Sequence, residues 1–378
     1  MALLLALLAA CSNSSTPQEC PGNASCPEPD QSAPPLRLPD GTPASPQAAA
    51  SPGAGSAPQV PRTYGGQTLA WPRVPRTSAV PPALGAVRGT GPLRTSSGRT
   101  LPAGLLLPRL GGTAARPVVL TPCGARVTVT GPMTVEPARR SGQPLVLLDP
   151  GHGGSADGAI GPGGVREADR NLQIATLTAA ELAAGRLRAP GPKVRTLLTR
   201  LGDHDASLPF RVALADALRA DLSVSVHLNA APLAMLDRPG TTEFGSVSDP
   251  NGRRAAGVLY EAHRRYLETL TDRVGGRWAG NPDAGALYRL GSQGSDYYGL
   301  LRRAHTTWVI AEPLFLSDPK QAALIADPVV RRGLATAYAT GIRAFLAGAP
   351  GSGWTEPAPR AADPAPAPGQ DRCVDPIG

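Results

Sequence analysis

Four residues in the later half of the chain have the types and neighbours that hydrolytic metal chemistry needs. His152 stands in Asp149-Pro150-Gly151-His152-Gly153-Gly154, directly after the apolar run PLVLLD. Glycines there permit backbone shapes that other residues resist and leave room for a ligand. Glu167 follows fifteen residues later, at the mouth of a helical segment, and His227 ends the strand Ser223-Val224-Ser225-Val226 seventy-five residues after His152. Two imidazoles and one carboxylate suit zinc, which in catalytic sites keeps a fourth position for water. Glu312, at the end of TWVIAE, is then the natural general base for that water. Plainer readings exist: His152 as a hydrogen-bonded turn residue, and Glu167 as a helix N-terminal acid worth about 0.3–1 kcal/mol against the macrodipole. Glu312 is harder to explain away, since carboxylates are rarely buried without a partner.

The elements that must position these residues lie between 141 and 349, where strand and helix signals alternate. That texture predicts an α/β domain with a largely parallel sheet flanked by helices. Strands are readable at 144–149 (PLVLLD), 194–199 (VRTLLT), 222–228 (LSVSVHL) and 307–312 (TWVIAE). Helices are expected from Arg166 to Ala184, with Gly185 as the stop, and over 209–220, 253–271 and 328–347. Three of the four strands end in groups with metal or acid chemistry, namely Asp149 leading to His152, His227, and Glu312. In open α/β sheets, sites lie outside the carboxyl ends of the strands, so the spacing gathers these residues in one crevice.

Four ordered blocks resemble the zinc-dependent amidase family that includes the autolysin-type cell-wall amidases. They are LVLLDPGHGG (145–154), READRNLQIA (166–175), LTRLGDHDASLPFRVALADALRADLSVSVHLNA (198–230) and WVIAEPLFLSDPKQAALIADP (308–328). The likeness covers roughly residues 144–347. It implies a zinc-exopeptidase-like fold, one zinc per chain held by His152, Glu167 and His227, and Glu312 as general acid/base. The implied reaction is hydrolysis of the amide joining N-acetylmuramic acid to L-alanine in peptidoglycan, which is the implied substrate and partner. Ala311 and Asp318 depart from the common pattern, and 231–306 matches poorly. Two rival readings share these residues: a zinc exopeptidase of related layout, and a non-catalytic wall-binding lipoprotein. The DPGHGG and ExDxNL blocks oppose the first, and retention of both histidines, Glu167 and Glu312 opposes the second. Asn229, Ser225 and Arg211 are near the metal residues in sequence and are read first as strand-end and cap hydrogen-bonding groups. Of the other histidines, His204 is left unassigned, His263 is read as solvated within the charged stretch Glu261–Arg265, and His305 is a candidate to reach the cleft.

Composition describes the rest. The chain has 378 residues, of which 43 are proline and 44 glycine, and a net charge of +8. Residues 1–11 read as a signal peptide, too short to span a bilayer, and Leu8-Ala9-Ala10-Cys11 resembles a lipobox. An exported, envelope-located chain follows, with membrane attachment only through a lipid on Cys11. Residues 12–60 are a Pro/Ala/Ser-rich tether that cannot bury enough surface to order itself. Residues 61–140 carry eleven arginines against one acid, Glu136. This basic stretch suits an anionic wall polymer, and LPAGLLLPRL, PVVLTP and ARVTVTGPMTV within it read as short strands of a small β-rich module. No nucleic-acid partner is expected. Residues 350–378 return to Pro and Ala and are expected to be disordered apart from any disulfide. Setting Cys11 aside leaves Cys20, Cys26, Cys123 and Cys373, which can pair in three ways.

Overall fold

A computed structural model describes residues 79–139, 142–185, 191–231, 240–275, 285–291, 294–352 and 372–378. The leader, Cys11, the tether and the Cys20–Cys26 segment lie outside the described residues, as does most of the expected tail.

Residues 86–136 form an antiparallel sheet of seven short strands: β1 (Ala86–Gly89), β2 (Leu93–Thr95), β3 (Thr100–Leu101), β4 (Leu106–Gly112), β5 (Pro117–Leu120), β6 (Arg126–Thr130) and β7 (Met133–Glu136), in the order β3-β2-β6-β5-β4-β1-β7. The chain then enters β8 (Leu145–Pro150). A small ribbon of β9 (Ile160–Gly161) and β10 (Val165–Arg166) leads into α1 (Glu167–Ala184). The helix stops where Gly185 takes a left-handed φ of 63°. Next come β11 (Arg195–Leu198), α2 (Leu208–Leu218), β12 (Leu222–Val226), β13 (Thr242–Gly245), α3 (Pro250–Glu268) and α4 (Thr271–Val274). The remainder is β14 (Gly285–Leu287), α5 (Gly299–Arg303), β15 (Trp308–Glu312), α6 (Pro319–Ala326) and α7 (Pro328–Leu346).

The second sheet has the order β11-β8-β12-β15-β13-β14. Its first four strands run parallel, β13 runs antiparallel to β15, and β14 runs parallel to β13. The sheet is therefore mixed, and the antiparallel step falls in the 231–306 segment that carried no strand signal. Alternation along β8 sends Val146 and Leu148 to a core shared with Ile174, Leu259, Leu334 and Ile342 of α1, α3 and α7. Leu145 and Leu147 face the opposite core, with Phe210, Leu214 and Leu301 of α2 and α5.

That second core continues into the antiparallel sheet. Ala86, Val87, Leu93, Leu107, Val119 and Val129 belong to the same cluster as Leu145, Leu197, Trp308 and Ile310. The reason is α2, in which Phe210, Val212, Leu214, Ala215, Ala217 and Leu218 are all buried. A helix apolar around most of its circumference must be covered on more than one side. Backbone bonds fasten the two layers: Gly85 N donates to Ala217 O (2.8 Å), Arg139 N to Leu218 O (2.7 Å) and Ser207 N to Pro122 O (2.8 Å). Cys123, after β5, is disulfide-bonded to Cys373, 250 residues away. The chain end beyond it is docked, with Gly378 N donating to Thr100 O at 3.2 Å.

This arrangement makes residues 86–136 part of the folded core. Burying a Leu or Phe is worth about 1.5–3 kcal/mol, and a domain's net stability is only about 5–15 kcal/mol. A chain beginning at Gly142 is expected to be largely insoluble or strongly dye-binding, measured by soluble yield and hydrophobic-dye fluorescence beside the full chain. A soluble, dye-silent, cooperatively melting fragment would show that α2 needs no cover from the antiparallel sheet.

Candidate metal centre

The site is built on the turn after β8. Asp149 is buried and accepts hydrogen bonds from Thr199 Oγ1 (2.6 Å), Ser225 Oγ (2.7 Å) and Arg211. Burial pushes its pKa up, but the Arg211 charge and these bonds outweigh that and hold it below the ordinary aspartate value. Arg211 also donates to Pro150 O (2.8 Å) and His152 O (2.7 Å). A second buried guanidinium, Arg200, donates to Pro150 O (3.0 Å), Gly151 O (3.0 Å) and Ala168 O (2.7 Å). Burial, with the Arg211 charge, pushes Arg200 down to about 10. So clamped, His152 holds a left-handed backbone with φ of 61°, a conformation that persists in non-glycine residues only when the surroundings impose it.

Glu167 opens α1 with no exposed surface. One oxygen, Oε2, accepts from Ala159 N (2.8 Å). The other, Oε1, accepts from Asn171 Nδ2 and Leu228 N (both 3.1 Å) and lies 3.0 Å from His227 Nδ1. Burial raises the pKa of Glu167, yet the nearby charge of His152, the hydrogen bond with His227 and the His227 charge leave it well below the usual range. Burial lowers the pKa of His227, favouring the neutral imidazole that ligates metals. Ligand atoms of His152, Glu167 and His227 all lie within 4.8 Å of one another. His152 Nε2 is buried without a hydrogen-bond partner, although Glu167 Oε2 is 3.2 Å away. That proximity without hydrogen-bond geometry is what two ligand atoms aimed at a common point produce. The donor set, two imidazole nitrogens and a carboxylate, fits zinc.

Glu312 reaches the same edge through sheet register. Val226 pairs with Ala311 in the parallel β12/β15 ladder, and His227 N donates to Ala311 O at 2.9 Å. Glu312 follows Ala311 at the carboxyl end of β15, as His227 follows Val226 at the end of β12, and it is only 3% exposed. On the other side Gly151 N donates to Val226 O (2.9 Å). A Cβ on Gly151 would lie 2.2 Å from the His227 ring, and one on Gly158 would lie 2.5 Å from Glu167 Oε2. The glycines are thus where side chains and backbone crowd together.

With this geometry in hand, the likenesses to known proteins are specific. The model of the N-acetylmuramoyl-L-alanine amidase family matches residues 146–344, which contain all four residues above. The chain belongs to this family. It is 32% identical over 238 residues to N-acetylmuramoyl-L-alanine amidase AmiC of Neisseria meningitidis serogroup B, covering 56% of each chain. To amidase AmiA of Escherichia coli K12 it is 26% identical over 239 residues, 55% of this chain and 78% of that one. The chain thus spans little more than half the length of the Neisseria relative. An amidase crystal structure from Clostridium difficile aligns with a TM-score of 0.45 and 24% identity, over 55% of this chain and 99% of that one.

Within this amidase-family domain the structure corrects two sequence readings. His263 is not solvated: it is fully buried, 2.6 Å from Glu243 Oε1 through Nδ1 and edge-on to Tyr338. It continues the buried stripe of Leu259 and Leu267 along α3, while its charged neighbours occupy other faces. His305 does not reach the cleft. It precedes β15, at the amino edge of the parallel strands, where Nδ1 lies 2.8 Å from Asp216 Oδ2. His204 sits beside the turn, its carbonyl 2.6 Å from where a Gly153 Cβ would be, and burial with the Arg200 and Arg211 charges lowers its pKa to about 4. Ser225 and Arg211 serve the turn rather than the crevice, and Asn229 bonds Thr242 Oγ1 (3.1 Å) and Ala230 N (2.8 Å). Sequence reading passed over Arg200. Its signal was an arginine at the carboxyl end of an apolar strand.

The Gly151–His227 approach predicts a metal defect from one methyl group. Gly151→Ala should fold, by circular dichroism, yet bind zinc at least tenfold more weakly, measured by competition with a chelating dye. Wild-type affinity in the folded variant would show that the His227 ring has room to move.

Proposed function

We propose that this chain hydrolyses the amide between N-acetylmuramic acid and L-alanine in peptidoglycan, using one zinc ion. The observation that carries this reading is the convergence of His152, Glu167 and His227 around an unpartnered buried imidazole nitrogen, with Glu312 at the carboxyl end of the neighbouring strand, inside a domain of the amidase family. His152, Glu167 and His227 hold the ion. Bound there, zinc would polarise the scissile carbonyl and make the attacking water more acidic. Glu312 takes the proton of that water and returns it to the leaving amine of L-alanine. Its low exposure supports proton transfer to a group shielded from bulk solvent. The main-chain bonds to Glu167 and the guanidinium clamp on the turn keep the ligands in place before substrate arrives, which limits reorganisation during the reaction.

The same reading places the chain in the cell envelope, where a disulfide such as Cys123–Cys373 persists. It also assigns the antiparallel sheet a role in holding anionic wall polymer. Arg94, Arg99, Arg116 and Arg126 are exposed there, and their attraction is screened beyond about 8 Å in physiological salt.

One experiment tests both parts. Purified peptidoglycan is digested by the full chain with and without a chelator, and the pelleted fraction is measured at low and high salt. New L-alanine amino termini should appear only without chelator. Charge-neutral substitution of the four arginines should lower low-salt pelleting severalfold. New reducing sugar ends, or free amino acids released from short peptides alone, would overturn the amidase reading, and unchanged pelleting would overturn the polymer role.

A further inference from the structure

Asp205 joins the metal turn to the chain end. Its Oδ1 accepts from Ser155 N (2.9 Å) and Ser155 Oγ (2.7 Å), three residues beyond His152. Its Oδ2 accepts from Val374 N (3.0 Å), the residue immediately after Cys373. The turn lies close on this loop: a Cβ on Gly154 would fall 2.4 Å from Asp205 N, and Gly154 N donates to Asp203 Oδ1 (2.8 Å). The other side of the loop is held by the antiparallel sheet, through Ser207 N to Pro122 O, one residue before Cys123. Asp375 closes the circuit by accepting from Cys123 N at 2.8 Å. Cys373 therefore adjoins the N–H that Asp205 accepts, Cys123 adjoins the carbonyl that Ser207 donates to two residues further on, and Asp205 in turn accepts from Ser155 in the segment that follows His152.

We propose that the Cys123–Cys373 bridge and the chain end it holds act through Asp205 as a strap that positions the His152 turn, so that closing the disulfide tightens metal binding. Asp205 is on this account a positioning residue, two steps from the ion. The proposal rests on the metal reading above and adds to it a dependence on thiol oxidation. Closure moves two electrons and two protons from the Cys123 and Cys373 thiols to a disulfide donor. One S–S bond forms in the chain as the donor's own S–S bond breaks to two thiols. Without the bridge, Val374 has no covalent hold near Asp205, and one carboxylate oxygen loses its partner to chain motion. The ligands themselves are untouched. Outer groups that orient ligands typically contribute 10–100-fold to metal affinity, so the effect is graded.

The test uses the demetallated full chain in four forms: oxidised, reduced, Cys123→Ser with Cys373→Ser, and Val374→Pro. The last keeps the bridge but removes the N–H that Asp205 accepts. Zinc affinity is measured by competition with a chelating dye. Amide hydrogen exchange is followed at Gly153–Ala156, with β12 and α7 as internal references. The strap predicts affinity lower by about tenfold or more in the three altered forms, with faster exchange confined to the turn. Zinc affinity and turn exchange equal to the oxidised wild type in folded Val374→Pro would overturn the strap, whether or not the cysteine variant folds. If the oxidised wild type itself takes up no zinc, the metal reading falls and the strap with it. Equal uptake in all forms sinks the strap alone.

Discussion

Three carbonyls turned inward at the end of β8 set the terms for the whole site. Pro150, Gly151 and His152 leave an interior strand and swing His152 toward the carboxyl edge, which points their oxygens away from solvent. Two buried guanidiniums meet them, Arg200 and Arg211, with Asn171 Nδ2 adding a bond to Gly151 O at 3.3 Å. Two cations in one interior need a counter-charge, and Asp149, at the end of the same strand, supplies it. Removing one partner of such a buried pair costs about 3–5 kcal/mol, because the remaining charge has no solvent to turn to. The left-handed His152 backbone follows from this clamp. The turn is a socket braced by bonds from within the chain.

The layers around the sheet serve that socket in different ways. On one face α1, α3 and α7 make an ordinary helical cover, and α1 delivers Glu167. On the other, α2 both covers the sheet and sends Arg211 inward to the turn. Its apolar circumference is closed by the antiparallel sheet, so a region of different architecture becomes part of the packing that supports Arg211. The disulfide then draws the chain end over the same loop.

What was legible in the sequence followed from burial. β8 and β15 are near-continuous apolar runs because both faces of the sheet are covered there, and α1 shows its stripe and its glycine stop. β13 and β14 escaped notice because TEFG and GAL are short and carry a buried acid or glycines. The residues that could ligate stood out through their types: histidines and carboxylates at strand ends are few in this chain. The residues that hold them did not. Arg200 and Asp205 act through backbone carbonyls, backbone N–H groups and Ser155, partners that no local pattern marks. His263 was misread for a related reason, since Glu261 and Arg265 suggest a wet helix while the i, i+4, i+8 stripe of Leu259, His263 and Leu267 faces the core.

The proposed site divides its labour between the ends of two neighbouring strands, with His227 after β12 holding metal and Glu312 at the end of β15 moving a proton. The most direct measurement compares zinc stoichiometry and turnover on peptidoglycan in Glu312→Gln and His227→Ala. Glu312→Gln keeps shape and hydrogen bonding but removes the base. It should retain about one zinc per chain while losing roughly 10²–10⁴ in rate. His227→Ala should lose metal and activity together. A folded, zinc-loaded Glu312→Gln enzyme with undiminished turnover would contradict the assignment, as would a His227→Ala chain that keeps its metal.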